Sequence, residues 1–122
     1  MIDKDFAEHF ARDWIDAWNS HDLDRVLSHY SDAFEMSSPF IIQVVGEPTG
    51  TLTGKSAVRA YWTSALTRMP DLHFELHDML VGVNSITLYY KGVRGMAAEV
   101  FHFGSDQKVL RAFAHYAMLR NL

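Results

Sequence analysis

A single carboxylic acid, Glu99, stands in the middle of an otherwise apolar stretch, residues 96–103, which alternates as a β-strand does. The alternation puts Glu99 on one face with Ala97 and two phenylalanines. If that face points inward, loss of hydration raises the pKa of the carboxyl group and suits it to proton transfer near neutral pH. If the face meets solvent, Glu99 is an ordinary surface acid, free or paired with Arg94 or Arg111. The strand alone leaves both interpretations open.

No recognised catalytic or metal-binding motif accompanies Glu99. The sequence has no cysteine, no glycine-rich phosphate loop and no His-Glu-x-x-His helix motif. His73 and His77 are four residues apart, but the residues around them, with Glu75 between, alternate as in a strand. A metal site needs three or four convergent ligands. The sequence therefore predicts neither a metal nor a cofactor.

Composition disfavours several classes of function. The 122 residues are 48% hydrophobic, which is enough for one folded domain, 1–122, without disulfide or metal support. The net charge is −4 and the 11 basic residues are scattered, so the chain lacks the basic face that nucleic acid requires. The first residues contain no apolar signal segment, and no apolar run is long enough to cross a bilayer. We expect a cytoplasmic protein without nucleic-acid or membrane partners.

Three helices are predicted in the first part of the chain. Aromatic residues recur every four positions and give the first helix a broad apolar face: Phe6, Phe10, Trp14 and Trp18. Asp22 is a suitable N-cap for a short second helix that continues to Tyr30. The third helix is predicted over residues 55–69, where Pro70 ends it.

The rest of the chain predicts strands. A first strand over 33–38 stops at Pro39, and 40–54 is rich in turn residues. That segment is either an edge hairpin with a strand over 40–45 or a flap that forms a lid over a pocket. Four more strands are predicted, at 72–81, 85–92, 96–104 and 108–119. Their short connections make them antiparallel neighbours, and helices followed by strands indicate an α+β fold.

The last predicted strand has two different faces. One face is apolar with small residues in its middle, which would leave space above it: Leu110, Ala112, Ala114, Tyr116 and Met118. The other face mixes charged and aromatic side chains, as subunit interfaces often do: Arg111, Phe113, His115 and Ala117.

Several short patterns, taken together, resemble those of one protein superfamily. They are Trp-x3-Trp-Asn-Ser-His-Asp-Leu-Asp at 14–24, Ser-Pro at 38–39, Gly-Lys-Ser-Ala-Val-Arg-Ala-Tyr-Trp at 54–62, and the closing Val-Phe-His-Phe and Ala-His-Tyr. The chain thus resembles the NTF2-like superfamily, in particular its SnoaL-like polyketide cyclase and ketosteroid isomerase branches. The resemblance implies a cone of curved antiparallel sheet closed by three helices, with a deep apolar pocket, and a homodimer formed through the outer face of the sheet.

The resemblance also suggests catalytic residues. Ketosteroid isomerases pair an Asp base, placed just before a proline, with an oxyanion hole made by a Tyr on the first helix and a protonated Asp on a late strand. In this chain the base position holds Ser38, so the base is missing. The Tyr position holds Trp14, which keeps an N–H donor, and the late acid is Glu99. The resemblance therefore implies Glu99 and Trp14 as catalytic residues, but not steroid isomerisation by the same mechanism.

Two kinds of function follow from these residues. The resemblance places around the pocket Ser38, Tyr61, Phe74, Phe101, Ala112, Ala114 and Tyr116. The first hypothesis is an enzyme without cofactor that performs acid/base chemistry (isomerisation, cyclisation or dehydration) on a small hydrophobic carbonyl compound, with Glu99 moving the proton. The alternative is a non-catalytic module that binds a small molecule or dimerises, and the serine at position 38 favours it.

Overall fold

The first helix carries the apolar face that the sequence predicts. It is α1 (Lys4–Asn19) in a computed structural model of the chain, which describes residues 1–117. Asp3 caps the helix, because its carboxylate accepts a hydrogen bond from the backbone N–H of Phe6 at 3.2 Å. The buried residues lie on one side of the helix: Ala7, Phe10, Ala11, Trp14, Ala17 and Trp18.

The second helix is shorter than predicted. It is α2 (Leu23–Leu27) and begins after the predicted aspartate cap. It does not reach Tyr30, which instead starts strand β1 (Tyr30–Ser37). The backbone carbonyl of His29 accepts a hydrogen bond from Val109 at 2.8 Å, so pairing with a distant strand ends the helical segment. The helical spacing predicted the burial of Tyr30 correctly and its secondary structure wrongly.

The segment after Pro39 is neither a strand nor a hairpin arm. Ile41–Val45 forms a single π-helical turn, which ends at Gly46 in the left-handed conformation with φ of 80°. Only Ile41 of this turn is buried. A short strand, β2 (Thr51–Thr53), follows and pairs with β1. The prediction of a strand over 40–45 was therefore wrong.

The remaining elements follow the predicted order with small shifts at their ends. They are α3 (Lys55–Arg68), β3 (Glu75–Val81), β4 (Ser85–Gly92), β5 (Gly95–Phe103) and β6 (Val109–Tyr116). Residues 72–74 precede β3 without regular secondary structure instead of forming its first part. The predicted end of the last strand, with Met118, lies outside the described residues.

The six strands form one curved, open sheet in the order β2-β1-β6-β5-β4-β3. The run from β3 to β6 is antiparallel, as the short connections predicted. The exception to the antiparallel prediction is the pair β1 and β6, which run parallel, with Met36 opposite Ala112. This pair joins the first and the last of the described strands, and the fold remains α+β.

A bulge between β5 and β6 changes which residues of β6 face inward. The register shifts between His102 and Phe103, so Val109 takes the inward position and Leu110 is 45% exposed. The prediction that Leu110 shares the inner face was therefore wrong. Beyond the bulge the predicted alternation holds, with Ala112 and Ala114 buried and Arg111 exposed.

Aromatic packing holds α1 in the concavity of the sheet. Phe10 makes edge-to-face contacts with Phe101 and Phe103, at centroid distances of 4.9 and 5.1 Å. Trp18 and Tyr30 both pack on Trp62 of α3. Among the described residues, no helix is both long and apolar enough to span a membrane.

Candidate active site

A cavity of about 310 Å³ opens between α1, α3 and the inner face of the sheet. This volume is at the lower end of the range for small-molecule sites. Six of the predicted residues line it: Trp14, Ser38, Tyr61, Phe74, Glu99 and Tyr116. Most other lining side chains are apolar or aromatic, so the cavity suits a hydrophobic ligand with few polar groups.

Glu99 lies at the buried wall of this cavity, only 4% exposed. Its neighbours across the strands are Leu88 on β4 and Ala114 on β6. The hydroxyl group of Tyr90 donates a hydrogen bond to Oε1 of Glu99 at 3.3 Å. The other oxygen, Oε2, is buried and has no partner among the described residues. The inward interpretation of the apolar strand is the one that the structure adopts.

Burial raises the pKa of Glu99 to about 7, because the ionised carboxylate loses its hydration, while the hydrogen bond from Tyr90 opposes the rise. Neither Arg94 nor Arg111 pairs with the carboxylate, and within residues 1–117 no basic side chain lies within 4.0 Å of it. A carboxyl group with this pKa is present in both protonation states near neutral pH. It can accept a proton and return it.

Phenol groups surround the carboxyl group. Tyr61 and Tyr116 line the cavity with Tyr90, and burial raises the pKa of all three, while the hydroxyl group of Ser38 partly opposes the rise at Tyr61 and Tyr116. These phenols therefore stay protonated near neutral pH and can donate hydrogen bonds. Ser38 is itself 4% exposed and accepts a hydrogen bond from the backbone N–H of Phe40 at 3.2 Å.

Trp14 does not offer its N–H group to the cavity. Its Nε1 donates to the hydroxyl oxygen of Tyr30 at 2.9 Å, and both side chains are buried. Trp14 therefore contributes an aromatic face, stacked on Phe74 at a centroid distance of 5.6 Å, in place of the predicted donor. One turn later, Trp18 also lines the cavity, and its Nε1 is buried without a partner among the described residues. The N–H donor that the resemblance implies at Trp14 is thus used within the core.

Three of the predicted lining residues lie behind the wall. Phe101 is fully buried against Phe10 and Trp14, at centroid distances of 4.9 and 5.3 Å. Ala112 is opposite Phe101 and Ala114 is opposite Glu99 on the neighbouring strand. None of the three lines the cavity, and Phe101 is covered by Phe10 and Trp14 of α1. Their small or planar side chains support the wall.

The Asn-Ser-His motif after α1 fixes the opposite wall. The side-chain amide of Asn19 forms two hydrogen bonds with the backbone of Phe74. It donates to the carbonyl oxygen at 3.0 Å and accepts from the N–H at 2.7 Å. A ring nitrogen of His21 lies 2.9 Å from the carbonyl oxygen of Leu72. The motif thus holds Leu72 and Phe74 at the cavity edge. Sequence reasoning assigned no role to the side chain of Asn19 or to that of His21.

The mouth of the cavity is formed by the π-helical turn, the end of α3 and the turn between β4 and β5. Val44 belongs to the π-helical turn and Phe40 directly precedes it, while Arg68 ends α3 and Arg94 lies in the β4–β5 turn. The guanidinium carbon of Arg94 lies 4.3 Å from the ring centroid of Phe40, which in turn packs on Tyr116 at 4.4 Å. The segment predicted as a possible lid therefore borders the opening.

The fold and the cavity together define an NTF2-like protein with a buried acid. The chain belongs to the SnoaL-like family, whose domain model, described as a SnoaL-like domain, matches residues 11–116. No curated protein sequence matches this chain.

Solved structures share the fold. A SnoaL-like protein of unknown function from Burkholderia thailandensis is 58% identical, with a TM-score of 0.93 over 96% of this chain and 98% of that one. SalBIII, an epoxide hydrolase/cyclase-like enzyme in pyran ring formation of the polyether salinomycin, is 16% identical, with a TM-score of 0.76 over 98% and 96%. An NTF2-like protein of unknown function from Burkholderia pseudomallei is 15% identical, with a TM-score of 0.74 over 95% and 94%.

Proposed function

We propose that this protein is an enzyme that performs acid/base chemistry without a cofactor on a small hydrophobic carbonyl compound, with Glu99 as the group that moves the proton. The observation that carries the proposal is a carboxyl group with a pKa of about 7 at the wall of a largely apolar cavity. The relatedness in fold to an epoxide hydrolase/cyclase-like enzyme is consistent with chemistry on small molecules but does not define the reaction.

The proposed step begins with proton abstraction from a carbon next to the carbonyl group. The carboxylate of Glu99 takes the proton, the C–H electron pair forms the C=C bond of an enolate, and the carbonyl π electrons move to oxygen. A phenol of Tyr61 or Tyr116 donates a hydrogen bond to that oxygen. The protonated Glu99 then returns the proton to the same carbon or to another one. Isomerisation, cyclisation and dehydration can all begin with such an enolate.

The first test measures by NMR, in D₂O, how fast deuterium replaces the α-protons of aromatic ketones such as 2-acetylnaphthalene and 2-tetralone. We expect the protein to accelerate exchange and the rate to rise with pH through a midpoint near 7, because only the ionised Glu99 accepts a proton. Tyr90→Phe should move the midpoint upward, since the hydrogen bond from Tyr90 favours the carboxylate. Exchange no faster than in buffer for every ketone tested would contradict the proposal.

A second candidate function is binding without chemistry. Ser38 stands where the related isomerases keep their base, and its hydroxyl group accepts a hydrogen bond from Phe40 in the described structure. A binding module predicts that the same ketones bind without accelerated exchange. It also predicts that Glu99→Leu binds them as tightly as the unmodified protein or more so, because the variant removes a buried polar group from an apolar wall.

We also propose that two copies associate through the outer face of the sheet. Phe113 is only half-buried there and contacts the ring of His102 at a centroid distance of 5.6 Å, between exposed Arg111 and His115. An aromatic residue amid polar ones is typical of interface composition. Sedimentation should show a dimer, and Phe113→Glu should convert it to a monomer with an unchanged fold. A monomer at all concentrations tested for the unmodified protein would refute this.

A further inference from the structure

Two arginines at the mouth of the cavity form no salt bridge with any described residue. Three charged residues line the cavity: Glu99 in its interior and Arg68 and Arg94 at its mouth. In the described part of the chain, no carboxylate lies within 4.0 Å of either arginine, whereas Arg25 and Arg59 are paired with aspartates. The protein as a whole has a net charge of −4, so the positive mouth stands out from an acidic background.

Both arginines face the same region of the cavity. Both line the cavity together with Tyr61, and the positive charge of each lowers the pKa of its phenol. In the described part of the chain, neither arginine lies within 4.0 Å of the Glu99 carboxylate. The cavity therefore has a neutral-to-acidic interior and a positive opening.

Contacts within the protein position the two side chains. The guanidinium group of Arg94 rests on the ring of Phe40, an arrangement that leaves its N–H edges free to bind a ligand. Nε of Arg68 donates to the backbone oxygen of Ser64 at 3.4 Å, which keeps the side chain along the last turn of α3. Positioned arginines are well suited to carboxylates, because the guanidinium group donates two parallel hydrogen bonds.

We propose that the substrate carries a carboxylate, bound at the mouth by Arg68 and Arg94, at the opposite end of a flat apolar body from the carbonyl group that meets Glu99. The orientation of the ligand rests on the proposed function. The preference for an anion is independent of it. The apolar wall of Trp14, Trp18 and Phe74 would contact the body of the ligand. The substrate class is therefore that of aromatic or alicyclic keto acids.

A matched pair of probes tests the inference. 6-Acetyl-2-naphthoate and 2-acetylnaphthalene differ only in the carboxylate, and calorimetry gives the affinity of each. We expect the acid to bind about tenfold more tightly at low salt, since each partly exposed ion pair contributes about two- to fivefold. Added salt should reduce the difference by screening. Arg68→Gln and Arg94→Gln should each lose part of the preference, and the double variant should lose all of it.

Arg12→Gln is the control, because it removes an equal charge from an exposed position on α1 that does not line the cavity. It should keep the preference for the acid. Equal affinities for the two probes, failure of both to bind, or a preference that survives in the double variant would overturn the inference. Exchange by the unmodified protein separates the two proposals: a preference for the acid without accelerated exchange of any ketone supports the anion site and refutes the proposed chemistry. Glu99→Gln should keep the preference for the acid.

Discussion

Glu99→Gln is expected to lower the rate of α-proton exchange by about 10²- to 10⁴-fold, the range that a general acid or base contributes. The amide occupies almost the same volume as the carboxyl group but cannot accept the proton. Oε2 of Glu99 has no partner among the described residues, so an amide N–H₂ group can take its place while the amide oxygen still accepts the hydrogen bond from Tyr90. Exchange of deuterium into 2-acetylnaphthalene, followed by NMR at pH 8, measures the effect directly.

Binding and folding must be unchanged for that result to be decisive. Calorimetry with the same ketone should give a similar affinity for Glu99→Gln, and circular dichroism should show the same fold. Glu75→Gln is a suitable control, since Glu75 is an exposed acid on β3. It should exchange protons at the unmodified rate. Full exchange activity in Glu99→Gln would assign the proton transfer to another group and exclude Glu99 as the base.

The same carboxyl group should make the protein less stable as the pH rises. The pKa of Glu99 is about 7 in the folded protein, against an ordinary value of 4.5. Between these two values the unfolded chain has released the proton and the folded protein still holds it, so the free energy of unfolding falls with increasing pH. A difference of about 2.5 in pKa corresponds to about 3 kcal/mol. The loss is complete above pH 7, and full stability is present below about pH 4.5.

Urea unfolding at several pH values between 5 and 8 checks this expectation. Over this range the free energy of unfolding of the unmodified protein should fall by about 2.5 kcal/mol relative to that of Glu99→Gln, which lacks the titrating group. Glu75→Gln should follow the unmodified protein throughout. Parallel curves for the unmodified protein and Glu99→Gln would show that the carboxyl group is hydrated or neutralised in the folded state. Such a result would also weaken the case for Glu99 as a base near neutral pH.

Periodicity predicted most of the fold because it reports which side chains are buried. The aromatic face of α1 follows from it, and so does the face of β5 that Glu99 shares with Ala97, Phe101 and Phe103. Periodicity does not report which strand lies beside which, so the parallel pairing of β1 with β6 was missed. For the same reason Tyr30 was assigned to a helix, although its burial was predicted correctly. The backbone partner that decides its conformation lies far along the chain.

The candidate site was partly predictable in the same sense. Glu99 could be found because an acid in an apolar strand is unusual. Tyr90 could have been found too, since alternation in β4 puts it on the inner face with Leu88. The hydrogen bond of the Trp14 N–H group could not be predicted from the sequence, because its acceptor, Tyr30, is brought near only by the tertiary fold. Arg68 and Arg94 likewise carry no sequence signal, since isolated arginines normally lie on the surface.

The position of β6 in the sheet affects how the chain folds during synthesis. β1 is made early, but its neighbour in the sheet, apart from the short β2, is β6, which is made late. While the chain grows on the ribosome, the edges of β1 and β5 that β6 will occupy stay open, and the cavity wall cannot close between them. Contacts this distant in sequence are slow to form. Until the final strand emerges, the nascent chain exposes two unpaired strand edges, which makes chaperone binding or aggregation most relevant at that stage.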